Sequence, residues 1–167
     1  MSEPLVQVKN LTKIFEVGKG FLSKGKSLRA VGNISFDVMK GETLCLVGES
    51  GCGKSTLGRS ILQLIKPTSG QVLYDGTDLV PLSEKEMRPY RKDLQIIFQD
   101  PYASLNPRMT VREILGAPLD VYKMTKSREE REERILRICK VVGIQPDWLD
   151  KYPHEFSGGQ RQRLVIA

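Results

Sequence analysis

The sequence has little of what marks a metal centre, a disulfide scaffold or a membrane span. It holds one histidine, one tryptophan and three cysteines in 167 residues. The cysteines, Cys45, Cys52 and Cys139, form no CxxC pair, which argues against a disulfide framework or zinc site and for reduced thiols. No apolar stretch approaches the roughly 20 residues of a bilayer span. Met1–Lys9 also lacks the charged-then-apolar pattern of a secretory signal, so a cytosolic location is expected. A long basic run is missing as well. The 26 Lys and Arg are scattered among 20 Asp and Glu, and the net charge of +6 admits an acidic partner without pointing to nucleic acid. A hydrophobic content of 40% is ample for a buried core.

What is present is strand-like first and helix-like later. Leu5–Lys9 alternates apolar and polar residues, and Leu28–Val38 does so more loosely, which predicts two strands of an antiparallel layer. Between them Gly18–Lys26, GKGFLSKGK, reads as a solvated connection without chemistry. Thr43–Val47, TLCLV, is a short apolar run bounded by Gly41 and Gly48 and predicts a buried parallel strand. A helix is expected from about Lys54 to Ile65, stopped by Pro67 and Gly70, then a strand over Gln71–Tyr74 with a turn at Asp75–Gly76. Leu94–Phe98 predicts one more strand. Ser83 with Glu86, Thr110 with Glu113 and Ser127 with Glu130 have capping-box spacing, the third leading into the best helical periodicity, Ile135, Ile138, Cys139 and Val142. The pattern predicts an α/β nucleotide-binding core followed by a mostly helical insert.

The loop between the apolar run and the helix carries the chemistry. Gly48, Glu49, Ser50, Gly51, Cys52, Gly53, Lys54, Ser55 and Thr56 spell GESGCGKST and meet the phosphate-loop pattern GxxxxGKS, with a predicted strand before and a helix after. Glycines let backbone amides turn inward onto phosphate oxygens, and the helix start adds its positive dipole end. Lys54 is read as the mobile charge for the β and γ phosphates, Ser55 as a hydroxyl for Mg²⁺ and Thr56 as a donor to the α phosphate. Cys52 is read as an ordinary loop residue rather than a redox switch.

A second motif narrows the field. Phe156, Ser157, Gly158, Gly159 and Gln160 in FSGGQRQR resemble the LSGGQ signature of ATP-binding-cassette proteins, with Phe in place of the first Leu. Serine and two glycines at a helix start form a second anion site. The resemblance implies that Ser157, Gly158, Gly159 and Gln160 contact, in trans, an ATP held by a second cassette, closing a head-to-tail homo- or heterodimer. It implies that Gln99, in IIFQDP, senses Mg²⁺ and the attacking water. It also implies that Phe15, in LTKIF, stacks on adenine, with a core aromatic as the alternative. His154 and Trp148 read as packing residues.

QDPYASLNPRMTV and YPHEFSGGQRQR resemble the second ATPase subunit of oligopeptide and dipeptide importers, from about Leu5 to Ala167. The implied fold is α/β, a P-loop NTPase with a RecA-like core and an antiparallel β layer. Residues 1–99 would form that core, 100–155 a helical subdomain, and 156–167 the signature and the start of the following helix. The implied ligands are ATP and Mg²⁺. The implied partners are a second ATPase subunit and two transmembrane permease subunits, met near Tyr102–Arg108, with peripheral placement on the cytoplasmic face of the membrane. The family's later Asp–Glu strand end and switch histidine are not among these residues. The C-terminal part of the core is therefore expected to be missing, with ATP bound but not efficiently hydrolysed, and with apolar edges exposed or covered by swapping. A soluble cassette acting on nucleic acid, or a non-hydrolysing nucleotide-binding module, remain the alternatives. The first lacks an aromatic-interleaved basic strip to support it.

Overall fold

The computed structural model describes residues 3–17, 26–100 and 104–167. Most of the Gly18–Lys26 connection, together with Tyr102, lies outside them. The chain divides into two compact units, Met1–Ile96 and Ile97–Ala167.

In the first unit, strand β1 (Val6–Val17) pairs antiparallel with β2 (Lys26–Val38) on one side and β3 (Ser69–Tyr74) on the other, and β4 (Thr77–Asp78) closes the order β2-β1-β3-β4. The first alternation in the sequence is therefore the start of a strand twice as long as Leu5–Lys9. A bulge explains why the pattern breaks. Asn10 adopts a φ of 50°, the register slips between Val8 and Leu11, and both side chains stay in the core although they are three residues apart. Asparagine tolerates this left-handed backbone. The Asn10 amide donates to Ser35 Oγ (2.8 Å) in place of a ladder bond. Between β3 and β4, Asp75 (φ 46°) and Gly76 (φ 77°) form a two-residue hairpin turn, as their order in the sequence predicts.

Helix α1 (Lys54–Ile61) lays Leu57 against the inner face of the sheet, in one cluster with Val8, Leu11, Val31, Val72, Leu79 and Met87. Fully burying one such side chain contributes roughly 1.5–3 kcal/mol. The helix ends about a turn earlier than Pro67 suggested. Gln63 turns left-handed (φ 54°), and the Arg91 guanidinium donates to the carbonyls of Leu62 and Gln63, closing the C-terminal end. Helix α2 (Glu84–Met87) begins at Ser83 with the complete capping box that the sequence predicts.

Two expected strands are absent. Thr43–Val47 joins no ladder and is exposed, Val47 at 90%, and Leu94–Phe98 likewise joins no strand ladder, with Ile97 and Phe98 exposed. A buried parallel strand needs hydrogen-bonded neighbours. Among the described residues neither segment has a strand partner, and the Leu94 amide instead donates to the Tyr90 carbonyl (2.9 Å), so apolar composition alone does not make a strand.

The second unit is helical. Helix α3 (Val111–Val121) starts at Thr110 with a full capping box, and α4 (Arg128–Val142) starts at Ser127. The Ser127 box is only half made. Its hydroxyl accepts from the Glu130 amide, but the Glu130 carboxylate accepts from Lys126 N (2.8 Å), one residue too early. Leu105, Val111, Leu115, Ile135, Cys139, Ile144, Leu149, Phe156 and Leu164 form the core. Charge pairs tie the outer faces: Arg131 grips both oxygens of Asp120 (2.8 and 2.9 Å), and Arg112 joins Glu132 to Asp150. Burial pushes the Cys139 thiol pKa up, and Glu132 adds to the shift.

Candidate functional site

The start of α1 is unlike the other α-helix starts among the described residues. Gly53 occupies the N-cap with φ 100° and ψ 2°, and no side chain caps the helix. A Cβ at Gly53 would collide with the Ala30 carbonyl oxygen of β2, so the backbone is pressed against the sheet at a position where only glycine fits. The first helical bond runs from Leu57 N to Gly53 O (2.8 Å). The amides of Lys54, Ser55 and Thr56 therefore precede the ladder, as the first amides of any helix do.

Lys54 folds back along the loop. Its ammonium donates to the carbonyls of Gly48 and Glu49, both at 2.7 Å, and lies 3.5 Å from Cys52 Sγ. The loop from Gly48 to Cys52 is exposed, including Ser50 and Gly51, and the Cys52 amide donates to Glu49 O (3.4 Å). One cation thus holds the loop as a closed arch while it remains within reach of an anion arriving from solvent. Among the nine sequence-predicted loop residues, the structure gathers Gly48, Glu49, Cys52 and Lys54 by contact, with Ser55 and Thr56 on the first turn beside them.

Phe15 lies on β1, opposite Leu28 of β2, half-buried and outside both apolar clusters of the described residues. The core-aromatic alternative therefore loses its support. The Lys13 ammonium sits 5.0 Å from the centre of the Phe15 ring and donates to Lys66 O (2.8 Å). Nothing in the sequence reading singled out Lys13, although a lysine two residues before an aromatic on a strand shares its face.

In the second unit Gln99 is exposed in a segment that joins no strand ladder, not at the end of a strand as expected. Helix α5 (Gly158–Ile166) starts at Ser157 with a reciprocal box: Ser157 Oγ accepts from Gln160 N (3.4 Å) and Gln160 Oε1 accepts from Ser157 N (2.9 Å). The serine hydroxyl uses its oxygen here, so its proton stays available to donate. Gly158 and Gly159 are exposed at the first two helical positions. Phe156 just before them is buried and meets Trp148 edge to face at 5.6 Å, and Arg161 Nε donates to Phe156 O (2.8 Å). Trp148 is thus a packing residue, as expected. His154 packs at the surface, exposed and stacked on Tyr152, and not in the core.

Residues 31–167 match the family model described as ABC transporter. The chain belongs to the ABC transporter family. It is 49% identical to the putative oligopeptide transport ATP-binding protein YkfD of Bacillus subtilis (strain 168), over 98% of this chain and 48% of that protein. It is 48% identical to the oligopeptide transport ATP-binding protein OppF of the same organism, over 100% of this chain and 53% of that protein. The chain spans about half the length of the curated relatives it matches. Among solved structures, the ATP-binding cassette MJ0796, in a dimeric post-hydrolysis state bound to ADP and Pi, superposes with a TM-score of 0.82 at 33% identity, covering 96% of this chain and 67% of that one. The mixed α/β fold with its antiparallel layer is thus that of ABC ATPase cassettes. No helix among the described residues is long and apolar enough to cross a membrane.

Proposed function

We propose that the chain is the nucleotide-binding portion of the energy-coupling ATPase subunit of a peptide importer. The observation that carries this reading is the start of α1: a left-handed glycine cap without a side-chain partner, three leading amides, and a lysine ammonium poised over the loop. A triphosphate fits that chemistry. Its outer oxygens would draw Lys54 from the Gly48 and Glu49 carbonyls, and the amides would take the inner phosphates. The names of the relatives, oligopeptide transport ATP-binding proteins, support the peptide class.

Among the described residues no three His, Cys, Asp or Glu side chains gather into a metal cage. A Mg²⁺ ion would instead be held by phosphate oxygens with Ser55 Oγ, a neutral oxygen donor suited to a hard cation. It would supply charge neutralisation on the phosphates. Phe15 would receive the adenine. The Ser157 hydroxyl and the amides of Gly158 and Gly159 would donate to the outermost phosphate of an ATP bound by a second cassette, with Gln160 fixing the serine. In this reading residues 1–99 are the core, 100–155 the helical subdomain and 156–167 the signature. The exposed Asn106–Arg108 turn, with Tyr102 before it, would face two membrane permeases, placing the subunit peripherally on the cytoplasmic face.

Hydrolysis belongs in this reading to the whole protein; the 167 residues by themselves bind ATP with little turnover. Copurification of the whole protein with two hydrophobic permeases, and peptide uptake that depends on it, would support the importer. Salt-dependent binding to nucleic acid without such partners would contradict it.

A further inference from the structure

We propose that Lys13 is a positioning residue that holds the Phe15 ring ready for a purine base and so sets the preference for a nucleotide over a bare polyphosphate. The inference rests on the reading of the α1 start as a triphosphate site, and deepens it. Lys13 and Phe15 lie two residues apart on β1, on one face of the strand, and the ammonium reaches to 5.0 Å from the ring centroid. A surface lysine ordinarily keeps its rotamer freedom in water. Lys13 is instead pinned, because its ammonium also donates to Lys66 O at 2.8 Å.

That carbonyl belongs to a loop which is itself anchored. Lys66 Nζ donates to Val80 O and Leu82 O (2.8 and 2.7 Å), Thr68 N donates to Thr12 O (2.8 Å), and Ile14 N donates to Thr68 Oγ1 (2.9 Å). The loop follows α1, whose opposite end is the phosphate loop. The ring is thus referenced to the same helix that presents the phosphate amides.

Two effects follow. The ammonium backs one ring face, which fixes the half-buried ring and leaves its other face for a base. A cation on one face also draws π density from the ring, which favours an electron-rich purine stacked on the other. Neither effect touches a phosphate. Lys13 should therefore matter for a ligand with a base and not for the phosphate chain alone.

The test is titration calorimetry of the full 167-residue chain with ATP and with inorganic tripolyphosphate, both with magnesium. The variants are Lys13→Met, Lys13→Arg, Phe15→Leu and the double change of Lys13→Met with Phe15→Leu. Lys13→Met is expected to weaken ATP about threefold to tenfold and leave tripolyphosphate within about twofold. Lys13→Arg, which keeps both the cation and a donor, should restore ATP affinity. Adding Lys13→Met to Phe15→Leu should cost nothing more, because the lysine acts through the ring. The tripolyphosphate titration on each sample also reports an intact loop. Equal losses for both ligands, no loss for either, or a full additional loss in the double variant would overturn the proposal while sparing the phosphate reading. Failure of the unaltered chain to bind tripolyphosphate and ATP would overturn both.

Discussion

Two helix starts in this chain offer amides to solvent, and they are built in opposite ways. At α1 a left-handed Gly53 leaves the first turn without a side-chain cap, and Lys54 lies across the loop carbonyls. At α5 Ser157 and Gln160 cap each other, so the chain supplies its own cap. The first leaves its leading amides to water or to a ligand. The second already satisfies one amide internally and has a hydroxyl proton and two glycine amides to spare. A helix N-terminus is therefore not one kind of site: the cap residue decides whether the chain or a ligand completes it.

The comparison can be broken most forcefully at Gly53. Gly53→Ala places a Cβ against the Ala30 carbonyl and demands a left-handed backbone that costs an L residue about 1–2 kcal/mol by itself. Loss of measurable ATP binding and a lowered melting temperature are expected, and a variant that binds normally would show that the cap geometry is dispensable. Next in size, Lys54→Ala removes a charged partner worth roughly 1.5–3 kcal/mol and should weaken ATP at least about tenfold in a titration. At the other start, Ser157→Ala should cost about 1 kcal/mol of stability in denaturant melts, and Ser157→Gly only a few tenths. If Ser157 also donates to a phosphate in trans, Ser157→Gly stays deficient in ATP-driven dimerisation measured by light scattering despite its near-normal stability.

The smallest effect is electrostatic and confined to the helical unit. The Arg131 guanidinium bonded to Asp120 holds that carboxyl below its ordinary pKa. The Lys126 amide and then Arg134 do the same for Glu130, and for Glu129 its own amide and the Ser127 hydroxyl do so. These groups are lowered in the folded state, so their contribution is complete above the ordinary carboxylate range near pH 4 and is lost as pH falls through the lowered values. A modest extra loss of helical stability below pH 4 is expected, relieved in Asp120→Asn, and equal acid slopes for the two proteins would contradict it. In the sheet unit only Glu86, lowered by hydrogen bonds from Ser83, behaves in this way among the described residues.

Local rules made much of this legible. The Asp75–Gly76 turn and the Ser83 and Thr110 caps each depend on residues a few positions apart, and each formed as the sequence predicts. What failed depends on distant partners. Thr43–Val47 has strand composition but no strand neighbour among the described residues, whereas the half-made Ser127 box is a local miss in which the Glu130 carboxylate took the Lys126 amide. His154 sits between the buried Pro153 and Phe156, where spacing alone did not show that it points outward. The Lys13–Phe15 contact was equally out of reach, because Lys66, fifty-three residues away, fixes it.

The most direct measurement is calorimetric titration of the 167-residue chain with ATP and magnesium, beside the Lys54→Ala variant. Saturable binding of one ATP per chain, weakened at least about tenfold by the substitution, is the predicted result. Absence of heat from a chain whose circular dichroism shows an intact fold, or equal affinity in both proteins, would contradict the claim that the Gly53–Thr56 helix start holds a triphosphate.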